Sequence, residues 1–383
     1  MSNTNNKSLT PHQQALDFIH NQTQFHLGYL PTEQSHPRTR GLSETLQRDT
    51  ATGIRMLLEV DDDIPPVAQR VCASQEFDQF CLAIKQTLNK RKRIFFSGCG
   101  ATGRLSILLD AANRRFWRRT FERQPSLKES LDYLEESTYA VMTGGDFALV
   151  RSVEMFEDYT TFGYHQMQEA GVTADDVVVA ISEGGETSSV IGTIKRGIDV
   201  GAKVFFLFNN PADLLADNLE RCNSVLRNEK VTPIELCTGP MAVAGSTRMQ
   251  ATTIELLIAG CAFETGLLDH LREELTSEQL LSLNLYGNRK LNGDRPTKWL
   301  LERFDTLLKQ LRSDGNLATL TRLTEYEESL YGNRGLVTYL ANDYLLDIFT
   351  DTTERAPTFK IPPFRRSDDF KSAAPWAFVK DPQ

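Results

Sequence analysis

The chain has 383 residues, of which 40% are hydrophobic and 24% charged, a composition typical of one large globular domain or two smaller ones. Its net charge of -9 gives no general attraction for nucleic acid or an anionic membrane, so neither is expected as a partner. The six cysteines are scattered without a CxxC pair and the histidines lie outside any metal-ligand spacing, so we predict no metal and no cofactor. A polar N-terminus without an apolar segment predicts a cytoplasmic protein.

The first predicted elements are helical. Residues 1–65 carry a patchy helical pattern, interrupted at residues 30–42 by prolines and threonines, and predict an N-terminal helical arm. A long helix is predicted at residues 67–89, because apolar residues recur there at helical spacing.

Residues 66–270 alternate between short apolar runs and amphipathic segments. The predicted strands are residues 93–97, 139–143, 177–181, 204–208 and 234–237. The predicted helices between and after them are residues 103–119, 147–170, 187–200 and 246–265. Strands of continuous apolar character separated by amphipathic helices indicate a parallel sheet with both faces covered. This range is therefore predicted as an α/β domain with a doubly wound parallel sheet flanked by helices.

The C-terminal third is predicted as a helical segment followed by a smaller unit. Residues 271–333 are helical, with helices at about 299–311 and 318–330. Residues 334–383 repeat the order strand, turn, helix, strand, with strands at 336–340 and 376–379, and parallel residues 94–116. The turn of this second copy has no glycines, so its backbone amides cannot approach a ligand closely. We predict a partial second unit of the same kind as the first.

Three segments stand where predicted strands end or predicted helices begin, positions at which free N–H groups and the helix dipole favour an anion. They are SGCGATGR (97–104), ISEGGETSS (181–189) and GPMAVAGSTRMQATT (239–253). Taken singly, each is equally explained by a tight turn, a helix cap or a surface arginine. Together on one alternating frame they predict a phosphate cradle of backbone amides and hydroxyls. The candidate contacts are Gly98, Gly100, Thr102, Gly103, Ser182, Gly184, Thr187, Ser246, Thr247 and Arg248.

The order of these motifs resembles a known family. TEQSHPRT (32–39), SGCGATGR, GGDFALVRSVEMFED (144–158), ISEGGET and GPMAVAGSTRM are similar to the sugar isomerase (SIS) fold family of N-acetylmuramic acid 6-phosphate etherases and the glucokinase regulatory protein. The resemblance covers residues 30–265 clearly and residues 351–359 more faintly. It implies a SIS-type sheet that binds a sugar 6-phosphate, with Thr102, Ser182, Ser246, Thr247 and Arg248 as contacts.

The resemblance also implies a pair of catalytic glutamates. The etherases eliminate a lactyl ether, which needs an acid and a base because one proton leaves C2 while another reaches the departing oxygen. Glu157 matches one of them, whereas the Asp-Ala-Ser-Glu motif of the other ends here in Asn113, which we place among the substrate contacts. TDTTERAPTF (350–359) resembles the same motif displaced into the second unit and offers Glu354. Without the resemblance, both glutamates would be interpreted as surface residues of helices.

Four residues depart from the family pattern. Met241 stands in place of a glutamate and Gln250 in place of a lysine. Glu183 and Glu186 add two negative charges to a loop expected to face a phosphate. Because like charges repel, we expect these two side chains to point to solvent or to an amino group on the sugar.

Two functions remain open from the sequence. The first is a sensor or regulator that binds a hexose or amino-hexose 6-phosphate, like the glucokinase regulatory protein, with a sugar kinase as a candidate partner. The alternative is an N-acetylmuramic acid 6-phosphate etherase, a lyase that uses Glu157 and Glu354 and releases lactate. A short second unit leaves an open sheet edge, so a homo-oligomer, most simply a dimer, is predicted.

Overall fold

A computed structural model describes residues 10–22, 26–152, 154–286, 295–380 and 382, without the side chains of residues 154, 155 and 357–359. The strands are β1 Ile94–Gly98, β2 Thr138–Met142, β3 Val177–Ile181, β4 Lys203–Phe208, β5 Val231–Glu235, β6 Val337–Leu340 and β7 Ala377–Lys380. The helices up to β3 are α1 Pro11–Asn21, α2 Leu42–Arg48, α3 Thr50–Val60, α4 Ile64–Cys72, α5 Gln75–Asn89, α6 Gly100–Arg123, α7 Pro125–Leu131, α8 Phe147–Val150, α9 Glu154–Glu157 and α10 Thr160–Glu169. The helices after β3 are α11 Ser188–Val200, α12 Ala212–Asn218, α13 Glu220–Leu226, α14 Gln250–Glu274, α15 Ser277–Ser282, α16 Pro296–Leu311, α17 Asp314–Gly332 and α18 Leu345–Phe359.

The main sheet is parallel, with the strand order β2-β1-β3-β4-β5. Every residue of β1 and β3 is buried, which is why these strands consist of continuous apolar runs instead of alternating with polar residues. Helices cover both faces. The α/β doubly wound parallel sheet predicted from the sequence is confirmed.

Successive residues of each central strand pack alternately into two separate hydrophobic cores. Phe96 and Val179 point to the face covered by α5 and α14. Phe95 and Val178 point to the opposite face, covered by α11 and α13. This alternation follows from the two-residue period of a strand.

Two predicted helix boundaries are wrong. The helix predicted at residues 147–170 is divided into α8, α9 and α10, and Arg151 between α8 and α9 has an extended backbone. The helix predicted from residue 246 begins at Gln250, because residues 245–249 form turns in front of α14. α14 is long and apolar enough to span a membrane by length and composition, but most of its apolar stretch is buried inside the protein.

The C-terminal segment forms a smaller sheet in which β6 and β7 pair in parallel. The connecting helix, α18, packs along α6 and against α8 of the main unit. The strand, helix, strand order of this segment is as the sequence predicts. Its position brings α18 to the carboxyl end of the main sheet, where the candidate site lies.

Candidate functional site

A cavity of about 410 Å³ opens at the carboxyl ends of β1 and β3. In this strand order β2 lies on one side of β1, and β3, β4 and β5 lie on the other. The connections that follow β1 and β3 therefore lead in opposite directions, and the space between them is the usual ligand position in open parallel sheets. The lining residues are Cys99, Gly100, Ala101, Glu157, Glu183, Thr187, Gly245, Ser246, Thr247, Arg248 and Glu354. All three segments singled out in the sequence therefore contribute to one space, together with both predicted glutamates.

The turn after β1 brings the start of α6 to the cavity. Gly100 has a φ of +55°, a left-handed conformation that favours glycine, and it lines the cavity. A Cβ at Gly98 would overlap the backbone of Thr102 and Gly103, so the strand and the helix meet this closely only with glycine there. Thr102 is buried and its hydroxyl donates to the Cys99 carbonyl oxygen at 2.8 Å. Gly98, Thr102 and Gly103 thus shape the turn behind the cavity instead of lining it.

The turn after β3 is held by its own serine. Ser182 is buried, and its Oγ accepts a hydrogen bond from the Gly185 backbone N–H at 3.1 Å. The same oxygen lies 3.0 Å from Oγ1 of Thr187, the N-cap residue of α11. Thr187 lines the cavity, whereas Ser182 and Gly184 belong to the turn that supports it.

The segment in front of α14 supplies the cavity's cation. Arg248 Nη2 donates to Ser246 Oγ at 3.3 Å, which holds the guanidinium beside the hydroxyls of residues 246 and 247. Arg248 Nη1 also donates to the Asp351 carbonyl oxygen of α18 at 3.5 Å. The predicted contacts Ser246, Thr247 and Arg248 therefore all line the cavity, although they precede the helix instead of opening it.

Two of the residues that depart from the family pattern, Met241 and Gln250, hold this segment in place through buried contacts. Gln250 is fully buried, and its side chain donates to the Pro240 carbonyl oxygen at 3.0 Å and accepts from the Ala242 N–H at 2.8 Å. Met241 is also fully buried, and its carbonyl oxygen accepts from the His36 N–H at 2.9 Å. These contacts fix the loop before the cavity segment to α14 and to the N-terminal region.

The two glutamates reach the cavity from distant parts of the chain. Glu157 ends α9, and its Oε2 accepts a hydrogen bond from Cys99 Sγ at 3.6 Å. Burial, together with the neighbouring Glu157, raises the pKa of the Cys99 thiol, which therefore stays protonated. Glu354 lies in the third turn of α18 and accepts a hydrogen bond from Arg104 Nη1 at 2.6 Å. Arg104 is 1% exposed and also donates to the Ala148 carbonyl oxygen at 2.7 Å, so the ion pair is fixed inside the protein.

A third carboxylate, Glu183, lines the same cavity. Its Oε1 accepts a hydrogen bond from Thr252 Oγ1 at 3.2 Å. Burial raises the pKa of Glu183 to about 7, and the charges of Glu354 and Glu186 add to the rise. Glu186 instead folds back over Gly184, and burial raises its pKa as well. The expectation that both side chains point to solvent or to the ligand is therefore wrong for Glu186, whereas Glu183 takes the ligand side.

Behind Glu183 lies a fully buried carboxylate, Glu255 of α14. Asn209 Nδ2 donates to Glu255 Oε1 at 2.9 Å, and the Asn209 N–H donates to the Glu183 carbonyl oxygen at 2.9 Å. Burial raises the pKa of Glu255 well above its ordinary value, and the charge of Glu183 adds to the rise. Both carboxyl groups on this side of the cavity therefore favour the neutral form.

Asn113 does not belong to the cavity. It lies about three turns along α6 from Thr102, a distance of roughly 16 Å. Its Nδ2 donates to the Leu134 carbonyl oxygen at 2.9 Å and to Thr138 Oγ1 at 3.2 Å, which ties α6 to the start of β2. Because α6 runs away from the carboxyl end of the sheet, Asn113 does not line this cavity, and its contact with the substrate stays a prediction from the sequence.

Sequence reasoning gave no role to Arg104 and Glu255. The signal for Arg104 was a cation at the fifth residue of a helix, near the end where the dipole disfavours positive charge, so a carboxylate partner could have been expected. Glu255 stands in an otherwise apolar helical stretch, and a lone carboxylate there indicates a buried polar contact.

Known proteins resemble the chain over most of its length. The family described as glucokinase regulatory protein N-terminal SIS domain matches residues 79–198. N-acetylmuramic acid 6-phosphate etherase 1 of Bacillus licheniformis is 30% identical over 236 residues, which cover 61% of this chain and 67% of that protein. The etherase of Mesorhizobium japonicum is 30% identical over 310 residues, covering 78% of this chain and 88% of that protein. Among solved structures, the C-terminal domain of glucosamine-fructose-6-phosphate aminotransferase from Francisella tularensis is 14% identical with a TM-score of 0.42, over 85% of this chain and 69% of that chain.

Proposed function

The chain belongs to the family of N-acetylmuramic acid 6-phosphate etherases, and we propose that it cleaves the lactyl ether of N-acetylmuramic acid 6-phosphate and releases lactate. The observation that carries the proposal is that Glu157 and Glu354 line one cavity together with the cluster of hydroxyls and guanidinium at residues 246–248. The comparisons favour this etherase hypothesis over the regulator that the sequence placed first.

The phosphate would be held by the polar side of the cavity. Ser246, Thr247 and Thr187 offer hydroxyl donors, and Arg248 offers a charge-assisted donor already oriented by Ser246. α11 begins directly after Thr187, so the positive end of its dipole faces the same space. These groups support a dianionic phosphate as the fixed end of the substrate.

The two glutamates would divide the proton transfers of the elimination. One carboxylate accepts the C2 proton, the bond between C3 and the ether oxygen breaks, and its electron pair passes to that oxygen. The other carboxyl group then protonates the departing lactate, and water adds across the double bond left in the sugar. Arg104 holds the Glu354 carboxylate in one orientation, which keeps it at a fixed distance from a substrate anchored by its phosphate.

Lactate release from N-acetylmuramic acid 6-phosphate tests the proposal directly. Glu157→Gln and Glu354→Gln should each lower kcat by about a hundredfold or more, because each removes a group that transfers a proton. The matched control is Asp158→Asn, which removes an exposed carboxylate next to Glu157 and should leave the rate unchanged. Unchanged lactate release in both glutamine variants would contradict the assignment of the acid and base.

A second candidate function is the binding of a sugar phosphate without turnover, as a regulator. It is favoured by the match of residues 79–198 to the glucokinase regulatory protein SIS domain. The same assay separates the two functions: a regulator binds the sugar phosphate and releases no lactate. A sugar kinase as partner and a homo-oligomeric state stay predictions from the sequence.

A further inference from the structure

The charges that line the cavity do not suit an anionic ligand when all of them are ionised. Glu157, Glu183 and Glu354 line it, and Arg248 is the cation among the described lining residues. The other guanidinium nearby, that of Arg104, is already paired with Glu354. A phosphate group brings close to two further negative charges at neutral pH. Even with one of Glu157 and Glu354 protonated as the acid of the proposed elimination, two carboxylates would stay beside the phosphate, and a neutral Glu183 removes one of these like charges.

Glu183 is the carboxylate whose surroundings favour the neutral form. Among the described residues no lysine or arginine forms an ion pair with Glu183, and the Thr252 hydroxyl, which donates to Oε1 and favours the ionised form, is outweighed by burial. Burial raises its pKa to about 7. The titratable and charged groups around it, from every element that lines this side, are Cys99, Glu157, Glu186, Arg248, Glu255 and Glu354.

The neighbouring pair of Glu255 and Asn209 provides an independent sign that this region holds protons. Glu255 Oε2 and Asn209 Oδ1 are both buried without a hydrogen-bond partner among the described residues, although Asn209 Nδ2 donates to Glu255 Oε1. Two buried oxygen atoms that accept no hydrogen bond lower the stability of the folded protein. A proton on Glu255 would give this pair a donor, and burial raises the pKa of Glu255, so the region behind Glu183 favours a neutral carboxyl group.

We propose that Glu183 contacts the bound sugar phosphate as a neutral carboxyl group and donates a hydrogen bond to it, so that ligand binding takes up a proton wherever Glu183 is ionised in the free protein. The inference rests on the proposed sugar-phosphate ligand, but not on the etherase reaction. It makes Glu183 a residue that determines which ligands bind, because only a ligand with an acceptor at this position gains the hydrogen bond.

The test is the affinity for N-acetylglucosamine 6-phosphate, which has no ether to cleave, measured from pH 6 to 8.5 by calorimetry. We compare the wild-type protein with Glu183→Gln, which keeps a neutral donor at every pH, and with Asp158→Asn, which removes an exposed carboxylate outside the cavity lining. The ionisation of the phosphate affects all three proteins alike, so the ratio of their Kd values isolates Glu183. Above pH 7 the wild-type Kd should rise by up to tenfold per pH unit relative to Glu183→Gln, and Asp158→Asn should follow the wild type.

Proton uptake on binding gives a second readout that does not depend on the value of Kd. Calorimetry in buffers of different ionisation enthalpy should show close to one proton taken up per ligand by the wild type near pH 8, and none by Glu183→Gln. A constant Kd ratio with no uptake overturns the proposal, and so does a folded Glu183→Gln protein that binds nothing at any pH. Failure of the wild type to bind at any pH overturns the proposal together with its ligand, whereas proton-linked binding without lactate release contradicts only the etherase reaction.

Discussion

A buried guanidinium next to a half-open cavity is stable only if its charge is matched. Arg104 is 1% exposed, and its partner Glu354 is 19% exposed and lines the cavity. The short contact and the additional hydrogen bond from Arg104 to Ala148 offset part of the desolvation cost of such a pair, although Arg104 Nε has no hydrogen-bond partner among the described residues. The same contact fixes a candidate catalytic carboxylate, so stability and function depend on one interaction.

Replacement of Arg104 should therefore affect both properties. Arg104→Met removes the cation that pairs with the Glu354 carboxylate, and we expect the free energy of unfolding to fall by about 3 kcal/mol. Lactate release should fall as well, because the carboxylate loses its fixed orientation. Urea denaturation and the lactate assay check these outcomes. The double variant Arg104→Met, Glu354→Gln should lose less stability than the sum of the two single variants, and strict additivity would contradict an interacting pair.

Glu183 should make stability depend on pH. Its pKa in the folded protein is about 7, above the ordinary value of 4.5, so the folded state holds this proton more tightly than the unfolded state. Stability contributed by the neutral group is present below pH 4.5 and is lost as pH rises from 4.5 to 7. Glu183→Gln cannot lose it, so its Tm should match the wild type near pH 4.5 and exceed it at pH 8. After allowance for solvent screening we expect a gain of about 1–2 kcal/mol at pH 8, measured by calorimetry, with Asp158→Asn showing no such trend.

At the level of elements, the sequence predicted the strands well and some helix starts poorly. β3 was predicted at its observed bounds and β1 within one residue, because strands buried on both faces are continuous apolar runs between breakers. The start of α14 was misplaced because Ser246 has the residue type of a helix cap. What holds residues 245–249 outside the helix is tertiary: Gln250 binds the loop before it, and Met241 pairs with His36. Contacts of this kind leave no local pattern.

The candidate site was predictable to a similar degree. The three cradle segments were found because each combines glycines or hydroxyls with the end of an element. Glu354 was found through its motif, whereas its pairing with Arg104 joins residues 250 positions apart and has no local signature. Asn113 was predicted from its motif position alone, and its side chain instead bonds to the Leu134 carbonyl oxygen outside the cavity, a contact that the motif does not encode.

The attachment of α18 should control the position of Glu354. Thr353 is 1% exposed and its hydroxyl donates to the Leu149 carbonyl oxygen of α8 at 2.9 Å. Thr353→Val keeps the shape but leaves that carbonyl without its donor, so we expect a loss of about 1–2 kcal/mol and a several-fold lower kcat/KM for lactate release. Thr352→Val is the matched control, because the Thr352 hydroxyl bonds within α18 to the Ile348 carbonyl oxygen. Equal losses in both variants would show that the contact with α8 does not position Glu354.

On the scale of the whole molecule, the C-terminal segment completes a cavity that the main sheet only begins. Besides the Arg104 pair, Arg115 of α6 contacts Asp343 at 2.6 Å, and Arg248 contacts the backbone of α18. The contacts of Arg115 and Arg248 with this segment are partly exposed, so each contributes little to stability by itself. A ligand that touches both Arg248 and Glu354 would add a bridge between the two parts of the protein.

Ligand binding should therefore slow hydrogen exchange in α18 as well as in the main unit. With N-acetylglucosamine 6-phosphate we expect greater protection of amides in α11 and at the start of α14, and also in α18, because a ligand that binds only the closed cavity stabilises every element that lines it. α17 contributes no lining residue and serves as the internal control, while N-acetylglucosamine without phosphate should protect none of them. Arg248→Ala should abolish the effect in α18 because it removes the cation that joins the phosphate to that helix. Protection confined to α11 and α14 would mean that the ligand binds without contacting Glu354, and the acid-base pair would then have to be sought within the main unit.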